Sequence, residues 1–146
     1  MKIIGAFCFF VYLIFDKFIR CSLTDQSFTR DKRLLTPADY AAVFEKNRRS
    51  RDASFMVLAH RRKGTKEARQ GARLGLAIAK KNLKRAVDRN LVKRIVRESF
   101  RHSQTQLEGL DIVVLVQRNV NLTDRAALHQ SLQMHWNKVE ELCGRS

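Results

Sequence analysis

The alternation of apolar and polar positions divides the chain into elements. Residues 54–60 alternate as a strand, with Phe55, Val57 and Ala59 on one side and Met56, Leu58 and His60 on the other. Residues 73–79 alternate as well. Leu74, Leu76 and Ile78 face one way and Gly75, Ala77 and Ala79 the other, and so small a face predicts close approach of another element. Residues 111–117, DIVVLVQ, are apolar almost throughout, as in a strand central to a sheet or covered on both faces. Residues 47–52 form a basic turn or short strand.

Helical spacing marks three further segments. At about 100° per residue, Val92, Ile95, Val96, Ser99 and Phe100 fall within about 140° of arc, the stripe of a helix of about four turns. Thr36-Pro37-Ala38-Asp39 carries a capping threonine, a proline at the first helical position and an acid three residues after the cap. That helix runs to about Lys46, with Tyr40, Ala41, Val43 and Phe44 on a shared face. A last helix opens after Leu122-Thr123-Asp124 and buries Leu128, Leu132, His135/Trp136, Val139 and Leu142. Residues 61–71 are a charged loop, and Gly109 breaks the chain after the second helix. The fold class is α+β in the order αβββαβα, a sandwich of helices packed on a mixed sheet.

Residues 28–146 are expected to form one domain, with 1–27 a hydrophobic extension outside it. Residues 3–15 are apolar apart from Gly5 and Tyr12, which is short for a membrane-spanning helix. Phe18-Ile19-Arg20-Cys21-Ser22 is a poor cleavage site, so a targeting segment is the lesser reading and a cytoplasmic protein the expectation.

Charge changes this picture most. The net charge is +15, and residues 28–103 hold 22 Lys/Arg against seven Asp/Glu, so the whole excess lies there. Residues 80–101 alone carry nine basic side chains and two acidic ones. Asn90, Lys93, Arg94, Arg97 and Arg101 sit opposite the apolar stripe. Such a face becomes favourable against a polyanion, where each neutralised phosphate releases a counterion. Nucleic acid fits better than an anionic membrane, because the other face carries Val and Ile in place of a row of Trp and Phe.

Catalytic groups are sparse. Asp31, Asp39, Glu45, Asp52, Glu67, Asp88 and Glu98 are dispersed beside Lys or Arg, unlike a two-metal nuclease cluster. Cys8, Cys21 and Cys143 make no CxxC pair, and His60, His102, His129 and His135 lack metal-ligand spacing, so no metal site is expected and the histidines read as surface or cap residues. GARLG lacks the Lys-Ser/Thr of a phosphate-binding loop. Tyr40 and Phe44, four apart, either pack a core or offer ring faces to unstacked bases. The chain reads as a binder.

Lys80-Lys81, then Ala86-Val87-Asp88-Arg89-Asn90, then Lys93-Arg94 and Arg97 resemble the RNR signature of the bacterial ribonuclease P protein component. FTRDKRLLTPADYAAVF, RLGLAIAKK, RESFR, DIVVLV and a final helix with Trp136 follow the family's order over about residues 28–142. The resemblance implies a left-handed βαβ crossover, against the usual right hand. It implies a subunit of a ribonucleoprotein that hydrolyses one phosphodiester bond to remove the 5′ leader of precursor tRNA. Catalysis and Mg²⁺ would belong to the RNA subunit, with none bound by the protein alone. RNA binding would fall on Lys80, Lys81, Arg85, Arg89, Asn90, Lys93, Arg94 and Arg97. A leader-binding cleft would use Tyr40, Phe44 and, more weakly, Phe55. The implied partners are the catalytic RNA and precursor tRNA, with no protein partner required and no membrane association.

Two positions depart from the family pattern. Seven residues without a glycine separate Lys81 from Arg89, and Leu91 stands where a third basic residue often follows the Asn. The rival readings are another RNA binder, such as a ribosomal or RNA-chaperone protein, a membrane-tethered basic protein, and a protein-only nuclease.

Overall fold

The structure, a computed structural model, describes residues 28–64, 70–118 and 120–144. The apolar run at 3–15 and part of the 61–71 loop lie outside the described residues. Helix α1 (Pro37–Glu45) starts where its cap predicts. Thr36 Oγ1 accepts the Asp39 amide at 3.2 Å, and Asp39 Oδ2 accepts the Thr36 amide at 3.2 Å, so two orphan donors are satisfied reciprocally.

Strands β1 (Arg48–Arg51), β2 (Phe55–Arg61), β3 (Arg73–Ala77) and β4 (Leu110–Val116) make one sheet in the order β1-β2-β4-β3. The first two pairings are antiparallel and β3–β4 is parallel. Helix α2 (Ala86–His102) links the parallel pair, and α3 (Arg125–Gly144) closes the chain. The expected αβββαβα order and mixed sheet are therefore present. Strand β3 stops at Ala77, two residues short of the alternating pattern. The chain there turns away, with the Asn82 and Leu83 amides donating to the Ala79 carbonyl at 3.0 and 3.3 Å.

Burial on the two faces follows the pleat. Phe55, Val57 and Ala59 of β2 and Ile112, Val114 and Val116 of β4 pack against Val92, Ile95, Val96 and Phe100 of α2 and Leu128, Leu132, Trp136 and Val139 of α3. Ser99 fits the α2 stripe because its hydroxyl accepts the Trp136 indole N–H at 2.9 Å. On the opposite face, Leu58 and Val113 meet Leu34 and Val43 beneath α1. Strand β4 is central and covered on both faces, as its unbroken apolar run predicts.

Two expectations need correction. The stripe of α3 ends on buried Cys143, with Leu142 only half-buried. His135 is not a surface or cap residue. It is buried on that stripe, where its Nδ1 is 2.6 Å from Ser50 Oγ and its Nε2 is 3.2 Å from Asp52 Oδ2. It ties α3 to β1 and to the β1–β2 turn. Ser50, His135 and Asp52 have the residue types of a hydrolytic triad, but Ser50 is only 3% exposed and has no room for a substrate.

Candidate nucleic-acid interface

Two surfaces are built on this frame. The first is the outer face of α2. Packing of its apolar stripe fixes the rotation of the helix, which turns Asn90, Arg94 and Arg97 to solvent and leaves Lys93 half-exposed. Lys80, Lys81 and Arg85 are exposed on the approach, with Arg85 Nε 4.0 Å from Asp88 Oδ2. The side chains of Lys80, Lys81, Lys93 and Arg94 have no hydrogen bond or ion pair among the described residues. Concentrated cations with no internal acid to satisfy them are available to an external polyanion.

Arg89 differs from these. It is half-buried, and Nη1 donates to the carbonyls of Leu83 and Lys84 at 2.9 and 2.6 Å. It clamps the approach loop onto the start of α2. Leu91 packs against the core, so the position where family members often carry another cation is here turned inward. At the other end, the Arg97 guanidinium lies 6.0 Å from the Phe28 ring centroid and that of Arg33 lies 4.9 Å from it. Phe28 itself stands edge-on to Phe100 at 5.9 Å. Phe28 and Arg33 thus join the basic face from the lead-in segment. The contacts of Phe28 with Arg97 and Phe100, some 70 residues away, leave no local signal in the sequence.

The second surface is an open groove of about 630 Å³ on the α1 side of the sheet. Met56, Ala77 and Leu115 line its floor, and Lys81, Asn82 and Gln117 its rim. Tyr40 is half-buried against the neighbouring core, whereas Phe44 is 47% exposed. Phe55 is a correction. It is 0% exposed and packs under α2 and α3, because the pleat turns it away from the groove. Met56, the next residue, takes the groove position.

Ion pairs fix the first turn of α1 to the sheet at the opposite end of β3 from this groove. Arg73 donates to both oxygens of buried Asp111, from Nε at 2.8 Å and Nη2 at 2.6 Å, and its Nη1 is 3.2 Å from Asp39 Oδ1. The bond to Asp111 pushes the Arg73 pKa up, against burial. The hydroxyl of Thr36 holds the Asp39 carboxyl below its ordinary value, and Arg73 adds to this. Burial pushes the Arg62 guanidinium down, opposed by Asp111 3.5 Å away.

These carboxylates are taken up by protein donors. Among the described residues no group of three or more His, Cys, Asp or Glu side chains could hold a metal ion. Burial also pushes the Cys143 thiol up, away from the reactive thiolate. No helix among the described residues is long and apolar enough to cross a membrane.

Fold and surfaces together define an α+β nucleic-acid-binding protein that presents a cationic helix and an apolar groove with Lys81 on its rim. Residues 28–140 match the family model described as Ribonuclease P. The ribonuclease P protein component of Chromohalobacter salexigens is 43% identical over 123 residues, covering 82% of this chain and 90% of that protein. That of Pseudomonas aeruginosa is 39% identical over 117 residues, covering 80% and 84%. The ribonuclease P protein of Thermotoga maritima superposes with a TM-score of 0.61 at 25% identity, covering 75% of this chain and 96% of that one. The chain belongs to the bacterial ribonuclease P protein family, whose members work with an RNA subunit in tRNA 5′ processing.

Proposed function

We propose that this chain binds the catalytic RNA of ribonuclease P through the outer face of α2 and the precursor-tRNA leader through the groove beside α1, in the cytoplasm. Hydrolysis of the phosphodiester bond then belongs to the RNA subunit and its Mg²⁺ ions. The observation that carries this reading is the division of labour on the surface. Unpaired Lys80, Lys81, Lys93 and Arg94 suit a phosphate backbone, and the apolar groove floor of Met56, Ala77 and Leu115 suits unstacked bases, with Phe44 exposed on α1. Tyr40 contributes from its half-buried position at the edge of the same groove. Asn90, Arg85 and Arg97 complete the RNA face. Arg89 holds the approach loop in shape while keeping its charge there.

The test is precursor-tRNA cleavage at low Mg²⁺ by the RNA subunit, with and without this protein. The expected outcome is accurate 5′ cleavage restored by the protein and none from the protein alone. Cleavage by the protein alone would overturn the assignment of the chemistry to the RNA. Failure to stimulate would overturn the subunit role.

A further inference from the structure

The edge strand β1 carries charge that the two surfaces above do not use. Its sequence is Arg-Arg-Ser-Arg, and all three arginines are exposed while Ser50 is buried. Register assigns their faces. Arg48 pairs with Ala59 and Ser50 with Val57, on the side covered by α3. Arg49 pairs with Leu58 and Arg51 with Met56, on the groove side.

The pairings then define two rows across the sheet. One runs Arg49, Leu58, Val113, Gly75 and is roofed by α1 through Tyr40 and Val43. The other runs Arg51, Met56, Leu115, Ala77 and is the open groove. Lys81 rims that groove. Arg51 Nη2 reaches to 3.5 Å from Oε1 of Gln117, itself a lining residue, which puts its guanidinium beside the groove rim. The Arg49 side chain has no hydrogen bond or ion pair among the described residues. An apolar strip thus has a cation at each end, and its three strand spacings make it about 14 Å long.

We propose that Arg49 and Arg51 are phosphate-binding residues that receive the single-stranded leader where it leaves the groove, so that the strand crosses the sheet from Lys81 to β1. This rests on the leader-groove reading above and adds its direction and its far boundary. Bases lie on Met56, Leu115 and Ala77, and the backbone is neutralised at both ends. Arg48, on the opposite face, takes no part. A bare edge strand also needs charge to resist pairing with other chains, and the face assignment separates the two roles, since Arg48 would serve the second as well as Arg49.

The experiment measures binding of precursor tRNAs with leaders from one to eight nucleotides to the reconstituted holoenzyme, across a salt series. The proteins compared are wild type, Arg49→Ala/Arg51→Ala, Arg49→Lys/Arg51→Lys and Arg48→Ala. The expected result is that the double alanine variant matches wild type on the shortest leader and binds the long leaders more weakly. Its salt slope on long leaders falls by about 1.4, the value for two phosphates on a single strand. The lysine variant restores the slope, and Arg48→Ala changes nothing. A wild-type holoenzyme indifferent to leader length would sink the leader groove itself. Length-dependent wild-type binding that the double alanine variant retains would overturn only the role of Arg49 and Arg51, as would equal losses on short and long leaders.

Discussion

Tyr40 lies directly over Gly75. A Cβ built on Gly75 would come within 2.8 Å of Tyr40 Cε1 and 2.9 Å of Leu34 Cδ1. The small face of β3 exists because the α1 ring occupies the space a side chain would need. Gly75 has no positive φ, so the requirement is steric and not conformational. Gly75→Ala is expected to push α1 off the sheet and to cost about 1–3 kcal/mol, the usual range for overpacking. Urea unfolding measures the loss. Precursor binding should weaken with it, because Tyr40 and Phe44 ride on the displaced helix.

Single alanine changes at Lys93 or Arg94 should weaken binding to the catalytic RNA with little change in stability, since neither side chain has an internal partner. Each should lower the salt slope by about one. Arg89→Ala should differ by also destabilising the fold, by about 1–3 kcal/mol, because it strips a charged donor from the Leu83 and Lys84 carbonyls. Salt-dependent binding and denaturant melts on the same variants separate the two effects.

Phe44→Ala is the cleaner probe of base stacking, because Phe44 is 47% exposed whereas Tyr40 also supports the core. The expected loss is about 1–3 kcal/mol in precursor binding for a stacked base, with mature-tRNA binding unchanged. Parallel titrations of the two RNAs check it.

Acid should loosen the β1–β2 turn before the rest of the sheet. Burial opposes ionisation of Asp52, but the Phe55 amide, the Ser131 hydroxyl and the Ser54 amide outweigh it and hold the carboxyl below 3.8. A depressed native pKa means the stabilisation is fully present above 3.8 and is lost as pH falls through the native value. Asp52→Asn should therefore lower stability near neutral pH and flatten its decline in acid. Thermal melts from pH 7 to pH 2.5 test this, and an unchanged acid limb would count against Asp52 as its source.

Much of this protein was legible from local pattern. Period-two and helical spacing set the elements, and the Thr36–Asp39 cap set the start of α1. The stripe of Val92, Ile95, Val96, Ser99 and Phe100 set which face of α2 would carry charge. Motif order alone carried the resemblance to the ribonuclease P family. These features are encoded within one turn or one pleat of backbone, or in linear order.

What only the tertiary structure decided depends on contacts between distant segments. Phe55 and Met56 are neighbours with opposite fates, and the choice between them followed from which face α1 covers. His135 became buried because Ser50 and Asp52, some 80 residues earlier, supply its polar partners. Arg89 and Arg94 read alike in sequence, yet one donates to the Leu83 and Lys84 carbonyls and the other has no side-chain partner among the described residues. The strand order β1-β2-β4-β3 placed Arg51 in one row with Met56, Leu115 and Ala77. Sequence specifies which side chains can be buried or charged, but pairing register and packing assign each one its neighbour.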